Sequence, residues 1–244
     1  MRGMNQADRG RHAEAAELLT ESADMARGAG RARQEAWSQG ILARSLLLAG
    51  QVQPAREAAE RSIQAARSER WNAFLPWPQV LRAQCLAEAG RWREASEDAE
   101  HAFVLACELG DPCWEGMAAR ALGMLAMRAG DLSAAHAWLA DARRRCDRVS
   151  DRYVWVSAYI GLAQLETAAR ENIDLIAPAA ARLYEHAVRG DLPEFLAWAL
   201  VYQAESGDHA KVALARSAAA GIANRELQAR VQALPASEPY RQSG

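Results

Sequence analysis

Catalysis or metal binding in this chain would have to come from five histidines (His12, His101, His136, His186, His209) and four cysteines (Cys85, Cys107, Cys113, Cys146). A zinc site draws on close pairs such as C-x-x-C or H-x-x-x-H, because two ligands must reach one ion from a single turn or helix face. No two cysteines have that spacing, and His101, Cys107 and Cys113 lie too far apart for a knuckle. The histidines stand in unrelated stretches with no nucleophile motif beside them. Lys211, the only lysine, has no glycine loop before it to cradle a phosphate. The expectation is a protein with no catalytic residues, no metal and no cofactor.

Two charge clusters remain. Arg143-Arg144-Arg145 with Arg148 and Arg152 falls at a predicted helix C-terminus, where cations complement the helix dipole. Glu94, Glu97, Asp98 and Glu100 form an acidic counterpart. Both read as solvated helix faces rather than ligand sites. The net charge of −2 and a pI near 6.2 argue against direct nucleic-acid binding, which calls for a basic surplus. No run of eighteen apolar residues offers a membrane span, and the opening Met1-Arg2-Gly3-Met4 carries no apolar signal core. A cytoplasmic location with reduced thiols is expected.

The elements that would position any site are helical. Half the residues are hydrophobic, and alanine dominates them, which favours closely approaching helices over a sheet. Gly10, Gly50, Gly90 and Gly130 stand forty residues apart, each followed by an alanine five residues on (Ala15, Ala55, Ala95, Ala135). Such a period marks an array of helix pairs, with glycine supplying the left-handed residue that closes one helix before the next begins. Further turn signals lie between the pairs, and Asp111, Asp151 and Asp191 read as N-caps. The pattern predicts helices over 11–27, 31–49, 53–67, 77–89, 92–108, 112–129, 132–146, 152–169, 172–188, 192–205, 208–220 and 222–233. Pro76 and Pro78 delay the start of one helix and leave Trp71 to Leu75 as a loop or separate turn. Gly10 closes a first helix whose beginning the chain lacks, and residues 234–244 read as a disordered tail after a single domain spanning 1–233.

The stretch Ala121-Leu122-Gly123-Met124-Leu125-Ala126-Met127-Arg128-Ala129-Gly130-Asp131, followed by Ala135 and Ala142, resembles the tetratricopeptide repeat. The resemblance implies an all-α, right-handed superhelical solenoid of about five to six antiparallel helix pairs. It also implies that the first helix of each pair lines a concave groove. Transferred residue by residue, the groove layers are Trp37, Gly40, Arg44 and Leu47; Trp77, Val80, Gln84 and Ala87; Met117, Arg120, Met124 and Met127; and Ser157, Ile160, Gln164 and Thr167. The same side chains also fit packing between helices. The implied function is a non-catalytic scaffold that binds a peptide or partner protein, with self-association through an open N-terminal repeat as a further expectation. The arginine- and alanine-rich style is similar to the helical repeat region of LuxR/MalT-type bacterial transcription regulators. That implies, as an alternative, a sensor region without its ATPase and DNA-binding modules.

Overall fold

The computed structural model describes residues 1–150 and 153–235. Among these lie thirteen α-helices and no strand. They are α1 (Arg2–Asp8), α2 (His12–Gly28), α3 (Ala32–Leu48), α4 (Val52–Ser68), α5 (Pro76–Glu88), α6 (Trp92–Leu109), α7 (Pro112–Arg128), α8 (Leu132–Cys146), α9 (Val154–Glu171), α10 (Ile176–Gly190), α11 (Pro193–Glu205), α12 (Val212–Ala219) and α13 (Arg225–Ala233). Consecutive helices pack on one another along the chain, giving an all-α solenoid. No helix among the described residues is long and apolar enough to cross a membrane.

The helices form two layers. The outer ones bury a narrow stripe: Ala95, Ala99, Ala102 and Ala106 in α6, and Ala135, Leu139, Ala142 and Cys146 in α8. Steps of four, three and four keep these on one face of a 3.6-residue helix. Alanine there lets the inner helix approach, and a larger side chain would cost about 1–3 kcal/mol in strain. The inner helices α3, α5, α7, α9 and α11 are buried around most of their circumference. At Gly123 a Cβ would sit 2.9 Å from Leu139 Cγ, so the glycine sets the spacing of α7 and α8.

Local signals act as expected at several ends. Asp111 accepts from the amides of Cys113 and Trp114 and caps α7. A 3₁₀ turn at Asn72–Phe74 precedes the proline-led start of α5. Asp191 is a correction: it adopts the left-handed conformation (φ 50°) that ends α10, and Leu192 precedes Pro193 at the start of α11. Asp151 lies outside the described residues. Arg216 holds the carbonyls of Leu234 and Pro235, and the rest of the expected tail lies outside the described residues.

The N-terminal end departs most from the sequence reading. Residues 2–8 form α1, and the turn after it is not open. Gly10 closes that turn at φ 73°, and a Cβ there would lie 3.0 Å from Ile222 and 3.3 Å from Glu194. The Gly10 carbonyl accepts from the Ala223 amide at 3.1 Å. His12 Nε2 meets Glu194 Oε2 at 2.9 Å, Asn224 donates to Glu194 Oε1 at 2.7 Å, and Arg9 pairs with Asp191. Gly50, at the next turn but one, lies under the stem of Arg225. The solenoid is thus closed on itself along a seam between its first turns and α11–α13. The surface expected to be free for self-association is covered along that seam.

Candidate functional site

Closure turns the expected groove into an enclosed interior with a plug in the middle. The plug is built on Arg44, 1% exposed. Its guanidinium donates to Tyr153 Oη at 2.6 Å and to Asp8 Oδ1 at 2.7 Å, and Tyr153 donates to the same Asp8 oxygen. The guanidinium carbon lies 4.3 Å from the centre of the Trp155 ring and 5.9 Å from that of Trp77. Trp155 in turn meets Phe195 edge-on at 5.6 Å. A buried cation needs such compensation, and carboxylate, phenol and aromatic faces supply it together. Burial pushes the Tyr153 phenol well above its ordinary range, so it stays a donor.

A mouth opens at each end of the plug. Toward the N-terminal ends of the inner helices lies a shallow cavity of about 710 Å³ walled by Trp37, Phe74, Trp77, Trp114 and Tyr153. Toward their C-terminal ends lies a second, of about 660 Å³, walled by α3, α5, α7, α9 and α11 and roofed by α13. Its apolar lining includes Met124, Met127, Leu162 and Trp198. Tyr159 donates from its hydroxyl to Gln84 Oε1 at 2.9 Å. That leaves Gln84 Nε2 buried with no hydrogen-bond partner among the described residues.

The second mouth is rich in arginine. Arg120 donates through Nε to the Tyr159 carbonyl at 2.9 Å and covers the Tyr159 ring, with its guanidinium carbon 3.3 Å from the ring centre. Arg128 pairs with Glu88. Arg230 pairs with Glu205 and stacks 3.9 Å from the centre of the Tyr202 ring. Glu166 lies half-buried among these groups. Burial pushes its carboxyl up to about 7, with Arg120 pulling it down and Glu226 pushing it further up.

The transferred groove residues divide between these places. Trp37 and Trp77 reach the aromatic mouth, and Gln84, Arg120, Met124 and Met127 reach the arginine-rich one, as do Leu47 and Ala87. Arg44 and Met117 are sealed inside, so as partner contacts they are corrected. Gly40 and Val80 are packed in the core; a Cβ on Gly40 would lie 3.0 Å from Phe74 and 3.1 Å from Trp77. Gln164 is also corrected: its Nε2 donates to the Leu139 carbonyl at 3.3 Å, toward α8. Ser157, Ile160 and Thr167 are buried beside it and line neither mouth. From α9 the lining residues are Tyr159, Leu162, Glu166, Ala169 and Arg170, the first four each two positions beyond the expected layer. The cause is the start of α9 at Val154, forty-two residues after the start of α7 at Pro112 rather than forty.

Sequence reasoning missed Trp198, Tyr202, Arg225 and Arg230 altogether. Trp198 and Tyr202, four apart on α11, are the signal that could have pointed to this face. In the basic cluster Arg144 and Arg148 are exposed, as a solvated helix end implies, while Arg143 and Arg145 are partly buried. Arg145 pairs with Asp141 and with buried Glu115, Arg148 pairs with the same glutamate, and Arg143 donates to the Ser157 carbonyl at 3.0 Å. Arg152 lies outside the described residues. In the acidic cluster, Asp98 accepts from Nε and Nη2 of Arg82, each at 2.6 Å. Among the described residues no three His, Cys, Asp or Glu side chains converge as a metal site would require.

No family model matches the chain, and no curated protein matches it. Among solved structures it is similar to BtubC (BKLC) from P. vanneervenii, with a TM-score of 0.57 at 16% identity. That match covers 94% of this chain and 95% of that one. At this identity the likeness concerns the fold alone.

Proposed function

We propose that the protein is a non-catalytic binding scaffold of tetratricopeptide type, which holds a partner protein by a segment inserted at the arginine-rich mouth. The observation that carries this reading is the cavity of about 660 Å³ with methionine, tryptophan, tyrosine and arginine at its wall. Methionine adapts to varied apolar surfaces, and tryptophan, tyrosine and arginine dominate the energetics of interfaces. Three of the five histidines are engaged away from the mouth: His12 on Glu194, His101 on Gln79 and His136 on Glu171.

A second reading, the sensor region of a LuxR/MalT-type regulator, draws support from the closed seam. A cavity of a few hundred cubic ångströms suits a small effector, and a closure spanning the first turns and α11–α13 is an element whose stability such an effector would shift. Ala229→Trp tests what both readings share. Ala229 is exposed and lines the mouth, so indole at that position obstructs the cavity entrance without entering the core. Binding, followed by calorimetry, disappears in this variant while its circular dichroism matches the parent protein. Unchanged binding would place the site elsewhere.

A further inference from the structure

The arginine-rich mouth carries more positive charge than its own carboxylates neutralise. Five arginines line it (Arg120, Arg128, Arg170, Arg225 and Arg230) against three glutamates (Glu88, Glu166 and Glu226). Arg128 and Arg230 are held by Glu88 and Glu205. Arg120, Arg170 and Arg225 have no ion pair among the described residues, and they stand on three different elements, α7, α9 and α13. The stem of Arg225 is fixed against Gly50, where an added Cβ would lie 2.8 Å from its Cδ. At the wall, Gln84 Nε2 is a buried donor with no acceptor among the described residues. Glu166 and Glu226 also have no ion pair among the described residues, so three unpaired arginines face two unpaired carboxylates and the excess is positive.

The remaining wall is largely apolar and aromatic. Arg44, Trp77 and Trp155 block the way through, and the seam blocks the side. We infer that this mouth is a site for a small organic anion with an aromatic or apolar body, its acidic group facing Arg120, Arg170 and Arg225. The inference rests on the mouth being the binding site and takes the second reading above, in which its occupant is a small effector rather than a partner's segment. The volume is that of a typical small-molecule pocket, about 300–1,000 Å³, and guanidinium groups recognise carboxylate, sulfonate or phosphate by paired donors.

Glu166 gives the site a pH dependence. The groups facing it are Arg120 and Arg128 from α7, Tyr202 from α11, and Glu226 and Arg230 from α13. Its carboxyl is pushed up to about 7 by burial, so below neutrality the mouth gains a net positive increment and holds an anion more tightly. Glu166→Gln fixes that state at every pH.

The test uses two dyes of nearly the same shape, 1-anilinonaphthalene-8-sulfonate and its neutral counterpart N-phenyl-1-naphthylamine. Both are titrated by fluorescence into the full chain. The anionic dye binds one per chain and at least about tenfold more tightly than the neutral dye, since a charge-assisted contact contributes about 1.5–3 kcal/mol before screening. Arg170→Gln and Arg225→Gln, both at exposed side chains, each weaken the anionic dye about three- to tenfold and leave the neutral dye unchanged. Glu166→Gln strengthens the anionic dye at pH 8 and abolishes the change between pH 6 and 8.

Equal affinity for the two dyes, untouched by the arginine variants, would overturn the anion assignment and leave the mouth as a binding site. If neither dye binds, the small-anion assignment is refuted; if both still bind unchanged to Ala229→Trp, the mouth itself is refuted. Displacement of the dye by an acetylated Glu- and Trp-containing hexapeptide more tightly than by indole-3-acetate would overturn the small-molecule assignment in favour of a partner's segment.

Discussion

Glu194→Ala is the perturbation that asks most of the closed architecture. The side chain is 2% exposed and takes two hydrogen bonds, one across the seam from His12 at 2.9 Å and one from Asn224, at the start of α13, at 2.7 Å. Hydrogen bonds to a charged group contribute about 1.5–3 kcal/mol each, so removing both acceptors costs about 3 kcal/mol or more. The loss does not spread evenly. In a solenoid each helix pair depends on its neighbours, and α12 and α13, at eight and nine residues, are too short to persist alone. Opening is therefore local to the C-terminal helices. An added 3 kcal/mol raises the opening equilibrium by about two orders of magnitude. The assay is native-state hydrogen exchange, following the amides of buried Leu227 and Val231 in α13 against those of α6 and α7. The expected result is about 100-fold faster exchange in α13 with α6 and α7 unchanged. Equal acceleration everywhere, or none in α13, would refute a seam that closes the stack.

Further expectations follow from single side chains. Glu166 titrates higher in the folded state than the ordinary value of 4.5, so its stabilising contribution is fully present below about 4.5 and lost as pH rises through about 7. Glu166→Gln removes that slope and stabilises the protein at pH 8 by about 2 kcal/mol, after discounting for solvent at the mouth, in denaturant titrations at several pH values. Arg44→Met strands Asp8 and Tyr153 and costs about 3 kcal/mol in the same assay, with Asp8→Asn recovering part of it in the double variant. Gly10→Ala lowers the melting temperature more than Gly90→Ala. Both residues have positive φ, but only Gly10 meets neighbours across the seam, and nothing lies within 4 Å of a Cβ on Gly90. Iodoacetamide at pH 8 modifies exposed Cys107 and spares buried Cys85, whose thiol burial pushes up to about 12.

Much of the fold was legible because its signals are local. Glycine at 10, 50, 90 and 130 announces left-handed turns, and the structure gives all four positive φ. Asp111 before Pro112 announces a capped helix start, and Pro76 with Pro78 announces a delayed one. Local signals failed where a tertiary contact decides the outcome. Asp191 carries the residue type of an N-cap, yet it takes the left-handed position at the end of α10, and its carboxylate faces Arg9 from the opposite end of the chain. Residues 2–8 are too few to show a helical period, and α1 holds by packing on α2 and α3.

The site was legible in part for the same reason. The inner helices could be identified from their place in the repeat, which brought Gln84, Arg120, Met124 and Met127 to the mouth. Carrying the period across the α8–α9 connection failed by two residues, which turned Gln164 toward α8 and brought Glu166 forward. Arg225 and Arg230 reach the mouth only because the chain folds back on its first turns, and no spacing in the sequence records that.

The most direct test of the central claim, that the mouth roofed by α13 is where this protein binds, is a paired capture by mass spectrometry. The parent protein and Ala229→Trp are exposed to the same cell extract of small molecules and proteins, and the retained species are identified in both. The expected result is at least one species retained by the parent chain and lost from the obstructed variant, with helicity unchanged. Identical sets on the two proteins would contradict it.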